Sequence, residues 1–267
     1  MPASALMNVM IGAARKAGRS LARDFGEVEQ LQVSVKGPGN FVSAADHKAE
    51  EIIYRELAKA RPGYSFLMEE RGEVIGDDRT HRWIVDPLDG TTNFLHGVPM
   101  FAISIGLERE GQLVAGLVYN PISDEIFAAE KGKGAFLNDR RRLRVAARKN
   151  LSDALVTTGI PHIGRVGHAA FRRESQTVFP QVAGVRRTGS AALDLAWVAA
   201  GRFDLYWERG IKPWDMAAGI VLVREAGGTV SDLAAGTGMF EKGEVLAANT
   251  TLHKEFLPLL DAKRSGT

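Results

Sequence analysis

From residue 150 onward, segments of strand and helix character alternate, and that alternation restricts the chain to a layered α/β structure. The sequence predicts strand 154–158, helix 165–179, strand 184–187, helix 190–200, strand 203–207, helix 215–226, strands 228–232 and 244–248, and a last helix near 250–261. The earlier part of the chain is patterned differently. Leu6, Val9, Met10, Ala13, Ala14, Ala17 and Leu21 recur at helical spacing, with Arg15, Lys16, Arg19 and Arg23 elsewhere on the wheel, so an amphipathic first helix is expected. A second helix from about Asp46 to Ala60 would bury Ala49, Ile52, Ile53 and Leu57 and stop at Pro62-Gly63. Between them Lys36-Gly37-Pro38-Gly39-Asn40 reads as a mobile loop or hairpin tip. The period then changes to two. Segments 64–68 and 82–86 read as strands, 101–107 and 113–119 as a hairpin around Glu110-Gly111, and 125–129, 134–137 and 143–146 as further strands. The expected division is residues 1–150, helices plus a large sheet, and residues 151–267, an α/β half that completes the same site. The tail from Lys263 to Thr267 should be frayed.

Bulk properties mainly exclude. A chain of 267 residues, 45% hydrophobic and 25% charged, can bury a sizeable core as one domain or two intimate halves. A formal charge of +2 is too small to imply nucleic acid or a membrane surface as partner. The absence of cysteine removes disulfides, thiolate nucleophiles and cysteine-held metals. The N-terminus lacks the pattern of a signal peptide, and no run approaches the roughly 18 apolar residues of a membrane span, so the chain reads as cytoplasmic. GxSxG, GxxxxGK[ST] and GxGxxG are all missing, which weighs against acyl hydrolases, P-loop enzymes and simple dinucleotide binding. His47, His81, His96, His162, His168 and His253 show no metal-binding spacing and read as surface or packing residues. The basic runs Arg140-Arg141-Arg142 with Arg144, and Arg186-Arg187, read as solvated faces.

The chemistry concentrates in RWIVDPLDGTTNF, residues 82–94. An apolar strand ends on Asp86, Pro87 fixes the next backbone angle, and Asp89 follows three residues after the first carboxylate. Gly90 permits a sharp bend into Thr91-Thr92-Asn93, which reads as a helix opening. Carboxylates bind hard cations such as Mg²⁺, and unpaired N–H groups at a helix start bind phosphate. A plain proline turn is the alternative. Three other places supply acids: Glu69-Glu70 after an apolar strand, Asp46 at the start of the second helix, and Asp215 in Pro213-Trp214-Asp215-Met216-Ala217-Ala218-Gly219. Each has an ordinary reading, a solvated strand end for the glutamates and an N-cap for the two aspartates. Together the four point to metal-assisted phosphate chemistry.

These segments resemble the inositol monophosphatase family, in particular its bacterial extragenic-suppressor type. WIVDPLDGTTNF and PWDMAAG occur in the family's order, with MEE upstream and RRTGSAALDLAWVAAG between them. The resemblance implies an alternating αβαβα layered sandwich of the sugar-phosphatase type, two to three Mg²⁺ per site, inhibition by lithium, and a homodimer. By position it implies metal binding by Glu69, Asp86, the Leu88 carbonyl, Asp89 and Asp215. Asp46, Glu69 and Thr91 would orient the attacking water. Gly90 and Thr91 would hold the phosphate, and Gly189, Ser190, Ala191 and Glu208 would meet the sugar alcohol. Lys36 matches the family's mobile-loop lysine. The implied reaction is hydrolysis of myo-inositol monophosphate, with histidinol phosphate, fructose 1,6-bisphosphate or 3′-phosphoadenosine 5′-phosphate as alternative substrates. Some bacterial relatives also act as non-catalytic partners of the transcription machinery, a role the arginine runs could serve.

Overall fold

Two sheets alternate with three helical layers in the computed structural model, which describes residues 4–27, 33–37 and 40–260 and the side chains of 4–27 and 43–260. The first layer holds α1 (Ala5–Phe25), whose N-cap Ser4 accepts the Met7 N–H at 3.1 Å, and α2 (Ala44–Ala60). Between them β1 (Val33–Gly37) and β2 (Asn40–Ser43) form an antiparallel pair, in keeping with a hairpin; its tip at 38–39 lies outside the described residues. Met10, Ala14, Ala17 and Leu21 of α1 and Ala49, Ile53 and Leu57 of α2 pack on the large sheet, with Ile52 only partly buried at the margin.

That sheet comprises β3 (Tyr64–Met68), β4 (Gly72–Val74), β5 (Asp78–Asp89), β6 (Ala102–Arg109), β7 (Gln112–Asn120), β8 (Glu125–Glu130), β9 (Gly134–Leu137) and β10 (Arg141–Arg142). The order is β10-β9-β8-β7-β6-β5-β3-β4, and only β3 and β5 run parallel. The short helix α3 (Thr91–Leu95) follows β5 directly. The expected hairpin turns at Glu110-Gly111, both at positive φ. The strand expected at 143–146 does not form. The Leu143 N–H still reaches Ala135, but the Val145 N–H goes to the carbonyl of Ala226, so the chain leaves the sheet edge there.

The second sheet is smaller: β11 (Leu155–Thr158), β12 (Gly184–Arg186), β13 (Leu205–Arg209), β14 (Thr229–Ser231) and β15 (Glu244–Ala248), in the order β12-β11-β13-β15-β14. Its connecting helices are α4 (His168–Val178), α5 (Ala191–Ala199), α6 (Pro213–Glu225), the one-turn α7 (Met239–Lys242) and α8 (Thr250–Phe256). β13 starts two residues later than expected because the Arg202 N–H closes the end of α5 on the Trp197 carbonyl. Side-chain alternation then separates two cores. Tyr206, Val245 and Ala247 face α5 and α6, whereas Leu205, Trp207, Leu246 and Ala248 face Val178 of α4 and Leu252 and Phe256 of α8.

α5 and α6 are therefore the shared middle layer, buried between both sheets, and this accounts for their nearly all-apolar sequences. α6 lies close against β7: a Cβ on Gly116 would stand 2.4 Å from the Ala218 carbonyl oxygen. The five layers form the expected αβαβα sandwich. Among the described residues no helix is long and apolar enough to cross a membrane. The expected frayed tail lies outside the described residues, and the last helix gives way to a 3₁₀ turn at Leu257–Leu259.

Candidate active site

The end of β5 is irregular. Its pairing with β6 runs to Asp86 opposite Ser104, then resumes only at Asp89 opposite Ala102, so β5 spends one extra residue there. Bulges of this kind re-aim side chains. Pro87, which has no N–H, sits in the irregular step, and the Leu88 N–H turns back to donate to Asp86 Oδ1 at 2.9 Å. The strand thus extends to Asp89 instead of stopping at Asp86. Gly90, at φ +100°, then reverses the chain into α3, and its Cα packs between backbone of Met100 and Gly189, where a Cβ would fall 3.0 and 3.3 Å from their carbonyl oxygens.

Two helices deliver the remaining aspartates, in a way the sequence reading misplaced. Neither Asp46 nor Asp215 is an N-cap; each is the third residue of its helix and accepts the backbone N–H of the preceding cap. For Asp46 the cap is Ser43, which donates its N–H at 2.8 Å and its hydroxyl at 2.6 Å to Oδ2. For Asp215 it is Lys212, whose N–H donates to Oδ2 at 2.7 Å. This spends one carboxylate oxygen on the helix start and leaves the other available. Asp46 uses its second oxygen to accept the Thr91 hydroxyl at 3.0 Å, and that hydroxyl also lies 3.1 Å from the Leu88 carbonyl.

Asp86, Asp89 and Asp215 each place an oxygen within 4.8 Å of the others. With the Glu69 charge nearby, these acids oppose one another's ionisation. Burial, followed by the charges of Glu69, Asp89 and Asp215, pushes Asp86 well above the usual carboxylate range. Burial and the charge of Asp89 do the same to Asp215. Asp89 is pushed up to about 6 by burial, offset in part by the Ser190 hydroxyl and by N–H groups at the start of α5. Such a cluster needs a cation to be fully ionised at neutral pH, and an all-oxygen donor set fits a hard divalent ion. Asp46 is also raised, through burial.

One cavity of about 150 Å³ gathers Glu69, Asp86, Leu88, Asp89, Gly90, Thr91, Gly189, Ser190, Ala191, Glu208 and Asp215. Asp46 lies behind Thr91 and outside the lining. The side chain of Lys36 is outside the described residues. Ser190 contributes differently from a simple substrate contact: its hydroxyl donates to Asp89 Oδ2 at 2.6 Å and caps α5 by accepting the Leu193 N–H. Glu208 lines the cavity half-buried, accepts the Tyr206 hydroxyl at 2.6 Å, and is pushed up to about 7 by desolvation.

Several lining residues escaped the sequence reading. Arg187 is exposed with Arg186, as expected of a solvated run, yet it also lines the cavity, and so does Arg165 from the loop after β11; both positive charges act on Glu208. His162 lines it too, with Nδ1 hydrogen-bonded to the Ile163 carbonyl. Asp194 and Asn93 are buried at its wall. Arg187 adjoins Thr188-Gly189, and Asn93 belongs to the 82–94 segment, so proximity to the motifs was the available signal.

The pattern of the inositol monophosphatase family matches residues 3–265. The chain is 62% identical over 257 residues to the inositol-1-monophosphatase of Mesorhizobium japonicum, covering 96% of both chains. It is 43% identical to the Nus factor SuhB of Pseudomonas aeruginosa, covering 94% of each. The crystal structure of the extragenic suppressor protein SuhB from Bartonella henselae superposes with a TM-score of 0.95 at 56% identity, covering 99% of this chain and 100% of that one. With the family pattern matched across residues 3–265 and a relative 62% identical over nearly its whole length, the chain belongs to the inositol monophosphatase family, a family of phosphatases.

Proposed function

We propose that the chain hydrolyses myo-inositol monophosphate with two to three Mg²⁺ ions, releasing inositol and inorganic phosphate. The observation that carries this reading is the triad Asp86, Asp89 and Asp215 within 4.8 Å, set beside Glu69 and a Thr91 hydroxyl held by Asp46. Bound Mg²⁺ would neutralise phosphoryl oxygens and lower the pKa of water, the two obstacles in phosphate monoester hydrolysis. Asp86, Asp89, Asp215, Glu69 and the Leu88 carbonyl would hold it. Glu69 and Thr91 orient the attacking water, with Asp46 fixing Thr91. The N–H groups of Gly90 and Thr91 bind the phosphate. Glu208 and the Gly189-Ser190-Ala191 wall receive the alcohol, and relatives named inositol-1-monophosphatase favour inositol as that alcohol. Lithium inhibition and a homodimer accompany this reading.

Asp89→Asn tests it. Asparagine keeps an acceptor for Ser190 and Ala192 but removes the charge, so the protein should stay folded and lose Mg²⁺-dependent turnover of inositol 1-phosphate. Turnover near the wild-type rate would refute the metal assignment. Histidinol phosphate, fructose 1,6-bisphosphate and 3′-phosphoadenosine 5′-phosphate belong in the same kinetic panel, since the carboxylates serve any of them. A second reading, a non-catalytic partner of transcription, is favoured by relatives named Nus factor SuhB and by exposed Arg140, Arg141, Arg142 and Arg144. Capture of the transcription machinery by the Asp89→Asn protein, lost on replacing those arginines, would support it.

A further inference from the structure

Thr188-Gly189-Ser190 crosses the cavity wall between β12 and α5, and two buried polar side chains without an assigned role grip it from opposite sides. From the α3 side, Asn93 Nδ2 donates to the Thr188 carbonyl at 2.8 Å and to the Met100 carbonyl at 2.6 Å. One amide thereby ties the segment before β6 of the large sheet to the approach to α5. From the α5 side, Asp194 Oδ1 accepts the Thr188 hydroxyl at 2.8 Å and the Thr157 hydroxyl of β11 at 2.9 Å. Thr188 Oγ1 in turn accepts the Ser190 N–H at 3.3 Å. The turn has little room to shift: a Cβ on Gly189, at φ +88°, would stand 2.9 Å from Asn93 Nδ2.

This brace ends at a cluster carboxylate. Asp89 Oδ2 accepts the Ser190 hydroxyl at 2.6 Å and the Ala192 N–H at 2.7 Å. A carboxylate held by two donors on one oxygen cannot swing relative to Asp86 and Asp215 unless residues 190–192 move with it. We infer that Asn93 and Asp194 are positioning residues: they fix the 188–190 turn, and through Ser190 they set the orientation in which Asp89 joins the divalent-cation cluster. The inference rests on the metal-site reading given above. It requires no negative charge at Asp194, only an acceptor for two hydroxyls.

Mn²⁺ binding to the full chain, followed as loss of the free-ion electron paramagnetic resonance signal, tests this without relying on turnover. Asn93→Asp, which removes both donors, and Asp194→Leu, which removes the acceptor, should each weaken Mn²⁺ binding about tenfold, the usual size for groups that orient metal ligands. Asp194→Asn retains an acceptor and should bind within about twofold of wild type. Thr188→Val, nearly isosteric, should weaken binding measurably and keeps the test open if a harsher variant does not fold. Variants with a lowered Tm but wild-type Mn²⁺ affinity would overturn the inference and reduce the brace to a packing feature. Asp194→Asn as damaging as Asp194→Leu would overturn its acceptor logic. A wild-type protein that binds no Mn²⁺ would instead overturn the metal reading, and the inference with it.

Discussion

Gly159→Ala is a sharp test of Glu208 that leaves Glu208 itself unchanged. A Cβ built on Gly159 would stand 1.9 Å from Glu208 Oε1, 2.0 Å from Cδ and 2.2 Å from Oε2. Those distances are far inside van der Waals contact, so the carboxylate must move more than an ångström or the strand end must open. The carboxylate is not a loose end. It is half-buried, and Oε2 is held by the Tyr206 hydroxyl at 2.6 Å. Displacing it breaks a bond to a group that ionises and strands a buried phenol, a loss of about 2 kcal/mol. For a domain of this size that corresponds to a Tm lower by about 4–8 °C. If Glu208 receives a hydroxyl of the sugar alcohol, the same displacement removes one charged hydrogen bond to substrate. The expected loss in kcat/KM for inositol 1-phosphate is about 10- to 100-fold, expressed mainly in KM. p-Nitrophenyl phosphate, which lacks those hydroxyls, should lose far less. Steady-state kinetics on both substrates, with circular dichroism to verify folding, decide the matter. Equal losses on the two substrates, or kcat/KM for inositol 1-phosphate within twofold of wild type, would refute the assignment of Glu208 to the alcohol.

The raised acids make a pH prediction whose sign follows from linkage. Asp89 at about 6 and Glu208 at about 7 exceed their unfolded values, so the metal-free folded state binds more protons than the unfolded chain between roughly pH 4 and 7. Tm without metal should therefore rise as pH falls from about 7.5 to 5, and a flat profile would contradict the buried acid cluster. Cation binding favours the ionised carboxylates, so titration with Mg²⁺ near pH 6.5 should release protons, measured as a dependence of binding heat on buffer ionisation enthalpy. Asp232 makes the opposite case. Held at about 2 by Lys242 and the N–H groups of Gly236 and Ala234 despite burial, its stabilisation is present above about pH 4 and lost as pH falls through 2. Asp232→Ala should cost about 2–3 kcal/mol in a urea melt at pH 7 with kcat unchanged, because the residue lies outside the cavity; an altered kcat would show coupling to the site.

Periodicity carried most of the layer architecture because the outer helices α1, α2 and α4 each carry one apolar stripe on a regular repeat. Alternation along β13 was visible in Leu205, Tyr206 and Trp207, although which of the two apolar faces met which helices was not. The failures have local causes. Residues 143–146 have strand composition, but the neighbouring sheet edge was already being abandoned for a hydrogen bond to Ala226, a partner 81 positions away from Val145 that no local pattern reports. Arg186 and Arg187 are exposed, as a pair of arginines at a strand end usually is; that Arg187 also borders the cavity follows from the turn into α5, which no local pattern reports.

The two aspartates read as N-caps are the more instructive error, because helix starts and functional sites place the same residue for different reasons. An N-cap side chain curls back onto its own helix and is consumed there. At the third position a carboxylate reaches back to the cap's N–H with one oxygen and projects the other outward, a geometry both Asp46 and Asp215 adopt through Oδ2. For Asp46 the outward oxygen meets Thr91 at the start of α3; Asp215 brings an oxygen within 4.8 Å of those from Asp86 and Asp89. The cap contact thus fixes each carboxylate's torsion before any ligand arrives, which lowers the ordering cost of gathering like charges from separate segments. The sequence difference between the two roles is three residues, within the error of placing a helix start from pattern alone. Ser43 ahead of Asp46, and Pro213 two positions ahead of Asp215, are the signals that move each helix start upstream, since serine is a strong cap and proline favours the first helical position.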